Sequence, residues 1–137
     1  MQKPEKVRVG GVEYQAPLVV SGGGLAKATQ DQTVGIGRLA AFTPESIEKG
    51  IWFGRAQTPP REASIKHHHG EAATTGFILQ GRARVYFGEE YEQFIEAGPG
   101  DFVFVPPFLP HYEENPGDEP GELIFARVPG NIVVHLE

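Results

Sequence analysis

At 137 residues, with 39% hydrophobic and 22% charged side chains, the chain has the size and balance of one globular domain with a single core. Eighteen acidic against twelve basic side chains give a formal net charge of −6, a sign that repels phosphate backbones and anionic lipid and argues against nucleic acid and membrane surfaces as partners. Cysteine is absent, which excludes disulfides, thiolate metal sites and a thiol nucleophile. The charged start "MQKPEKVRVGG" is followed by no apolar run, and no stretch nears the ~20 apolar residues of a membrane span, so the expected location is the cytoplasm.

Glycine (18) and proline (12) punctuate short stretches rich in β-branched and aromatic residues, which predicts an all-β chain. In chain order the predicted strands are 16–20 ("APLVV"), 33–42 ("TVGIGRLAAF"), 51–58 ("IWFGRAQT") and 63–69 ("ASIKHHH"). They continue with 75–80, 82–88, 91–97, 101–106, 111–115, 122–128 and 131–137. About eleven short strands with turn signals between them predict a sandwich or barrel. One helical turn is predicted at 43–50 ("TPESIEKG"), with Thr43 as N-cap, Pro44 at the first helical position and Gly50 past the end. The glycine-rich run 21–29 lacks the Gly-Lys-Ser/Thr ending of a phosphate loop and is expected to be a flexible connection. No linker divides the chain, so 1–137 is expected to be one domain, with N-terminal strands and a loop over 1–32 and a barrel over 33–137.

Three of the five histidines are consecutive, in "IKHHHGEAATTGFILQGRARVYFG" (65–88). Alternate side chains of a strand share a face, so Ile65, His67 and His69 are expected on the core side and Lys66 and His68 toward solvent. His67 and His69 then project inward with β-carbons roughly 6–7 Å apart, close enough for both imidazoles to reach one ion at ~2.0–2.1 Å. Taken alone, the pair fits a metal site or a structural pair equally. The candidate third ligand is His111, which follows Pro106, Pro107 and Pro110 and so emerges from a stiffened approach. Glu113 shares the face of His111, where it is a candidate base or imidazole-orienting partner, or a solvated strand-end carboxylate. Arg55 is a candidate anchor for a substrate carboxylate, or a surface arginine. Phe104 is assigned to an apolar substrate pocket, while most of the other aromatics, such as Trp52 and Phe125, are expected in the core. Ser21, Ser46 and Ser64 form no nucleophilic triad, Arg82 and Arg84 are expected on a solvent face, and His135 is expected to be structural or exposed.

These residues resemble the cupin superfamily, small double-stranded β-helix barrels. In the first family motif, His67, His69 and Gly81 match; in the second, Gly100, Pro106, His111 and Asn115 match in register. "PGD" at 99–101 and "GRARV" at 81–85 also look like cupin turns. The sequence departs from the pattern at three positions. Thr74 stands where the usual metal-binding Glu is expected, and Arg61 and Phe108 stand where glycines are. The resemblance therefore implies a site of three histidines without its glutamate, with Thr74 leaving room for substrate. Glu71 is an alternative acid, with the turn at Gly70 counting against it.

The implied cofactor is one divalent transition metal, Fe(II) first, with Ni, Cu, Zn and Mn compatible with the same donors. The implied function is a dioxygenase-type oxidoreductase acting on a small organic molecule. The alternatives are a metal-dependent isomerase, cyclase or lyase without oxygen chemistry, and a non-catalytic small-molecule-binding protein. Cupin barrels often pair through N-terminal strands, so "VRVGGVEYQAPLVV" implies a homodimer.

Overall fold

The computed structural model describes residues 5–27, 37–47 and 49–136. The chain starts with β1 (Lys6–Val9) and β2 (Val12–Gln15). Their hairpin turns on Gly10 and Gly11, both at positive φ, the two-residue turn whose twist matches the flanking strands. Residues 16–20, expected as a strand, lie outside the ladders, and the hairpin before them is strand instead. The first part of the strand expected over 33–42 falls outside the described residues, as do the last two residues of the connection over 21–29, whose described part holds a short turn at Gly22–Gly24.

Six strands make the larger sheet: β3 (Ala26–Lys27), β4 (Gly37–Phe42), β5 (Trp52–Thr58), β7 (Ala73–Gln80), β10 (Phe102–Val105) and β12 (Gly121–Val128). They pair antiparallel in the order β10-β7-β12-β5-β4-β3. The facing layer contains β11 (Tyr112–Glu114), β8 (Ala83–Phe87) and β9 (Gln93–Ala97), in that order. The short β6 (His67–His68) pairs with β13 (Val134–His135). Bridges at Ala63–Glu114 and His67–His111 continue that pair onto β11. The result is the double-stranded β-helix expected from the sequence.

Strand parity decides what fills the space between the layers. Ala40 on β4, Trp52 and Ala56 on β5 and Phe125 on β12 form the buried cluster, with Leu123 against it. The Trp52 and Phe125 rings lie 4.8 Å apart. Burying a side chain such as Phe125 contributes about 1.5–3 kcal/mol. The small residues around these aromatics leave part of the interior open, and the outward parity of the same sheet carries Phe102 and Phe104, 81% and 59% exposed.

The predicted helical turn is a single turn closed differently from expectation. The Ser46 and Ile47 amides donate to the Thr43 carbonyl, and the Thr43 amide donates to Ser46 Oγ, so Ser46 closes the turn. Gly50 ends it at positive φ.

Two local features hold the ends of the barrel. Gly81 has φ +75° and a Cβ there would meet the Pro120 carbonyl oxygen at 2.6 Å, so only glycine fits. Asn115 is 1% exposed; its amide donates to the carbonyls of Thr58, Pro59 and Glu119, and its Oδ1 accepts from the Gly117 amide. Among the described residues no helix is long and apolar enough to cross a membrane.

Candidate metal centre

His67, His69 and His111 are among the most buried side chains of the protein, at 0%, 2% and 0% exposure. A reciprocal pair of backbone hydrogen bonds, each 2.9 Å, sets His67 opposite His111. That pairing brings β6 and β11 together and puts both rings on the inner face. The three rings have centroid separations of 4.8, 4.4 and 5.1 Å. His68 takes the opposite side, where its Nδ1 accepts from the Gly70 amide.

Ile65 does not follow the expected alternation. It is 40% exposed, because pairing with the facing segment shifts register between the Ala63–Glu114 and His67–His111 bridges, four residues against three, which breaks the alternation before His67. Its carbonyl is what the site uses. Nδ1 of His67 meets the Ile65 carbonyl at 2.8 Å, and Nδ1 of His111 meets the Leu109 carbonyl at 2.8 Å, the same two-residue step backward. Nδ1 of His69 meets the Ile132 carbonyl at 2.7 Å. A ring nitrogen facing a carbonyl must donate, so Nδ1 of all three rings carries a proton and Nε2 is the atom turned into the group. Each of these Nε2 atoms is buried with no hydrogen-bond partner.

Glu113 closes the group. Its carboxylate oxygens lie 3.3 Å from Nε2 of His67 and 3.3 Å from Nε2 of His111. One ligand atom from each of His67, His69, His111 and Glu113 falls within 4.8 Å of the others. Burial alone would raise the Glu113 pKa, but the contacts with His111 and His67 outweigh it and hold the carboxyl well below its usual range. Burial, followed by the positive charge of Arg127, pushes His69 down to about 2. At neutral pH the ionised Glu113 carboxylate and the neutral His69 imidazole thus stand in one group, on which the three buried Nε2 atoms converge. A bound metal cation would satisfy such an arrangement. The donor set, three imidazoles and a carboxylate without thiolate, suits a divalent first-row transition metal.

This corrects the expectation of a site without its acid. Thr74 does stand on β7 in place of the expected glutamate, but the carboxylate comes from Glu113 on β11. Glu71 is exposed and outside the group. Ser64, dismissed as a nucleophile, positions the acid: its Oγ donates to Glu113 Oε2 at 3.0 Å and accepts from the Glu113 amide at 3.0 Å.

Beside the group lies a cavity of about 80 Å³, bordered by Thr74, Glu113, Arg127 and Arg38 and otherwise mostly by apolar side chains. Two predicted substrate residues are not in it. Arg55 points to the opposite side of β5 from Trp52 and Ala56 and pairs with Glu122. Phe104 lies between the inward-facing Val103 and Val105 and so turns outward. Conversely, Arg38 and Arg127, 2% and 3% exposed, were not anticipated. Their signal was present in "GRLAAF" and "LIFARV", where each arginine shares parity with core residues of an apolar strand. Arg127 donates from Nε to Thr74 Oγ1 at 2.6 Å and from Nη1 to Asn131 Oδ1. Burial and the neighbouring charge of Arg38 lower its pKa to about 9, so it remains a cation at neutral pH.

No curated protein sequence matches the chain. Among solved structures, the polyketide cyclase RemF from Streptomyces resistomycificus is similar over 89% of this chain and 87% of its own, with a TM-score of 0.69 at 14% identity. The Schizosaccharomyces pombe Cnp3 cupin domain is similar over 93% and 88%, with a TM-score of 0.65 at 14% identity. The oxalate decarboxylase OxdC of Bacillus subtilis is similar over 77% of this chain but only 29% of its own, with a TM-score of 0.64 at 23% identity. Likeness at these identities shows the fold. Residues 54–127, more than half the chain, match the family described as the cupin domain. The chain belongs to the cupin family.

Proposed function

We propose that the protein is a metal-dependent enzyme acting on a small organic molecule, with Fe(II) as its working ion and a dioxygenase-type oxidation as its reaction. The observation that carries the metal is the convergence of three buried, partnerless Nε2 atoms and the Glu113 carboxylate. His67, His69, His111 and Glu113 would hold the ion. A ferrous ion in this set supplies a Lewis acid and a redox centre with room for further ligands.

The chain's own residues prepare that chemistry. The Ile65, Leu109 and Ile132 carbonyls fix the ring orientations and make each Nε2 more basic. Ser64 holds the carboxylate. The apolar cavity wall, with Val85, Val103, Val105 and Phe125, excludes water from the reacting molecule.

A second reading has its own support: Glu113 borders the cavity, so its carboxylate is placed to move a proton on a bound molecule. That suits an isomerase, cyclase or lyase, and a cyclase is among the similar structures.

Elemental analysis of untagged protein purified without chelator tests the common core. Near one equivalent of metal is expected, kept in His68→Ala and reduced in His67→Ala, His111→Ala and Glu113→Gln. A folded wild type that takes up no first-row metal would refute it. Iron-dependent oxygen consumption selects the first reading, and anaerobic turnover with Zn(II) or Ni(II) selects the second.

A further inference from the structure

The charges along the cavity wall are answered locally. Three arginines and three glutamates border it. Arg82 pairs with Glu96, and Glu122 pairs with Arg55 and accepts from Gln57. Glu114 accepts from the Tyr86 hydroxyl, and Glu113 is held by Ser64, His67 and His111. Arg127 donates to Thr74 and Asn131 and feels the Glu113 charge. Arg38 has a partner of its own and lies over the Phe125 ring. The Asn115 amide is committed to backbone groups at both ends. An ionic guest would leave its hydration shell here and meet no spare counter-charge.

The rest of the wall is mostly apolar. Strand parity turns Ala83 and Val85 of β8 inward, and Ala97 and Ile95 of β9 with them, paired Ala83–Ala97 and Val85–Ile95 across the strands. The larger sheet adds Ala56, Val103 and Phe125. Alanine on both layers leaves space that a leucine would fill. Thr58, Gln80, Gly121 and Glu122 border both this cavity and an open groove that includes Pro59, Pro60 and Pro120, so they form its mouth. The register shift between Glu122 and Leu123 falls at this point, as β-bulges do at barrel rims. Gln80 ends β7, and Thr74, near its start, marks the inner end beside Arg127.

We propose that the cavity binds a small uncharged, carbon-rich molecule, which enters past Gln80 and Glu122 and lies against Val85, Val103 and Phe125 with its reacting end at Glu113. This rests on the metal-dependent reading above and names the substrate class for it. A cavity of about 80 Å³ holds on the order of five to eight water-sized groups, the scale of a single six-membered ring. Apolar contact and release from water drive the binding, and the engaged polar groups of the wall select against charge.

The test is an NMR titration with toluene, benzoate and benzylamine, which share one ring and differ in charge at pH 7. It uses wild type and Ala97→Leu, each zinc-loaded and chelator-treated, with zinc content measured on the same samples. The chelator-treated form removes any direct grip of zinc on benzoate or on the amine. Toluene is expected to bind wild type in both forms and to shift the resonances of Ile78, Val85 and Val103. Both charged probes are expected to bind at least tenfold more weakly, and Ala97→Leu is expected to weaken toluene about tenfold or more with zinc content unchanged.

Equal binding of the three probes, or equal toluene binding in wild type and a folded Ala97→Leu, would overturn the proposal. The wild-type shifts decide it even if leucine prevents folding: toluene shifts centred on the exposed Phe102 and Phe104 would overturn it too. Zinc uptake with no toluene binding also overturns it and leaves the metal reading standing. Toluene bound in the cavity of a wild type that takes no zinc supports it and removes the metal reading instead.

Discussion

Acid should destabilise the metal-free protein through His69 well before it reaches the carboxylates. Burial and Arg127 lower the His69 pKa from 6.5 to about 2. The unfolded chain therefore takes up a proton near pH 6.5 that the folded chain refuses until near pH 2. Stability attached to this group is full above the unfolded value and is lost as pH falls through the window toward the folded one. At pH 4.5 the loss is two pH units' worth, about 2.7 kcal/mol. For a chain of this length that is a fall in Tm on the order of 10 °C. Glu113 does not confuse the window: its folded pKa lies well below 4.5, so its contribution is lost only below pH 4.5. Thermal unfolding of chelator-treated wild type and His69→Gln at pH 7 and pH 4.5 isolates the term. Glutamine can still donate to the Ile132 carbonyl but cannot titrate. Wild type should lose about 2–3 kcal/mol more than the variant between the two pH values. Equal losses would refute the claim that His69 is held neutral by burial.

Thr74→Glu restores the family's usual acid but places it against Arg127, and we expect the new carboxylate to pair with the arginine. Zinc stoichiometry and affinity should be unchanged; a gain of zinc affinity in this variant would contradict the pairing with Arg127. Asn115→Ala leaves three carbonyls without their donor and the Gly117 amide without its acceptor, and should lower stability by about 2–4 kcal/mol in urea titration. The β1–β2 hairpin exposes Val7, Val9, Val12 and Tyr14, and a homodimer through this hairpin is expected. Light scattering at micromolar concentration checks it, and a monomer would refute it.

What was legible in the sequence was local. Alternation placed His67 and His69 together, and the proline-stiffened approach singled out His111. Alternation failed at Ile65 because the register toward the β11 segment shifts between Ala63 and His67, which no local pattern records. It failed at Phe104 because "FVFV" is apolar on both faces, leaving parity unmarked. The parity of Glu113 with His111 was legible, but its contact with His67 follows from the His67–His111 pairing across 44 residues. The departures at Arg61 and Phe108 weakened the motifs on paper only. Both residues keep the positive φ, +64° and +63°, that glycine would adopt. A left-handed conformation costs a non-glycine residue roughly 1–2 kcal/mol, so the rest of the fold imposes it. The motif is preserved as backbone geometry where it is lost as residue type.

The same distinction explains the displaced acid. Thr74 and Glu113 border one cavity, so a carboxylate from either strand serves the same interior. The strand chosen determines what Arg127 can do. With an acid at 74, where Thr74 Oγ1 now accepts from Arg127 Nε, the arginine would be neutralised in an internal ion pair. With the acid at 113, in contact with the histidines and held by Ser64, the threonine orients the arginine, and the Glu113 charge acts on Arg127 without a direct ion pair. The chain thus presents four candidate metal ligands while position 74 stays free to hydrogen-bond Arg127. A double-mutant cycle on Thr74 and Arg127 should therefore show coupling in stability rather than in metal content.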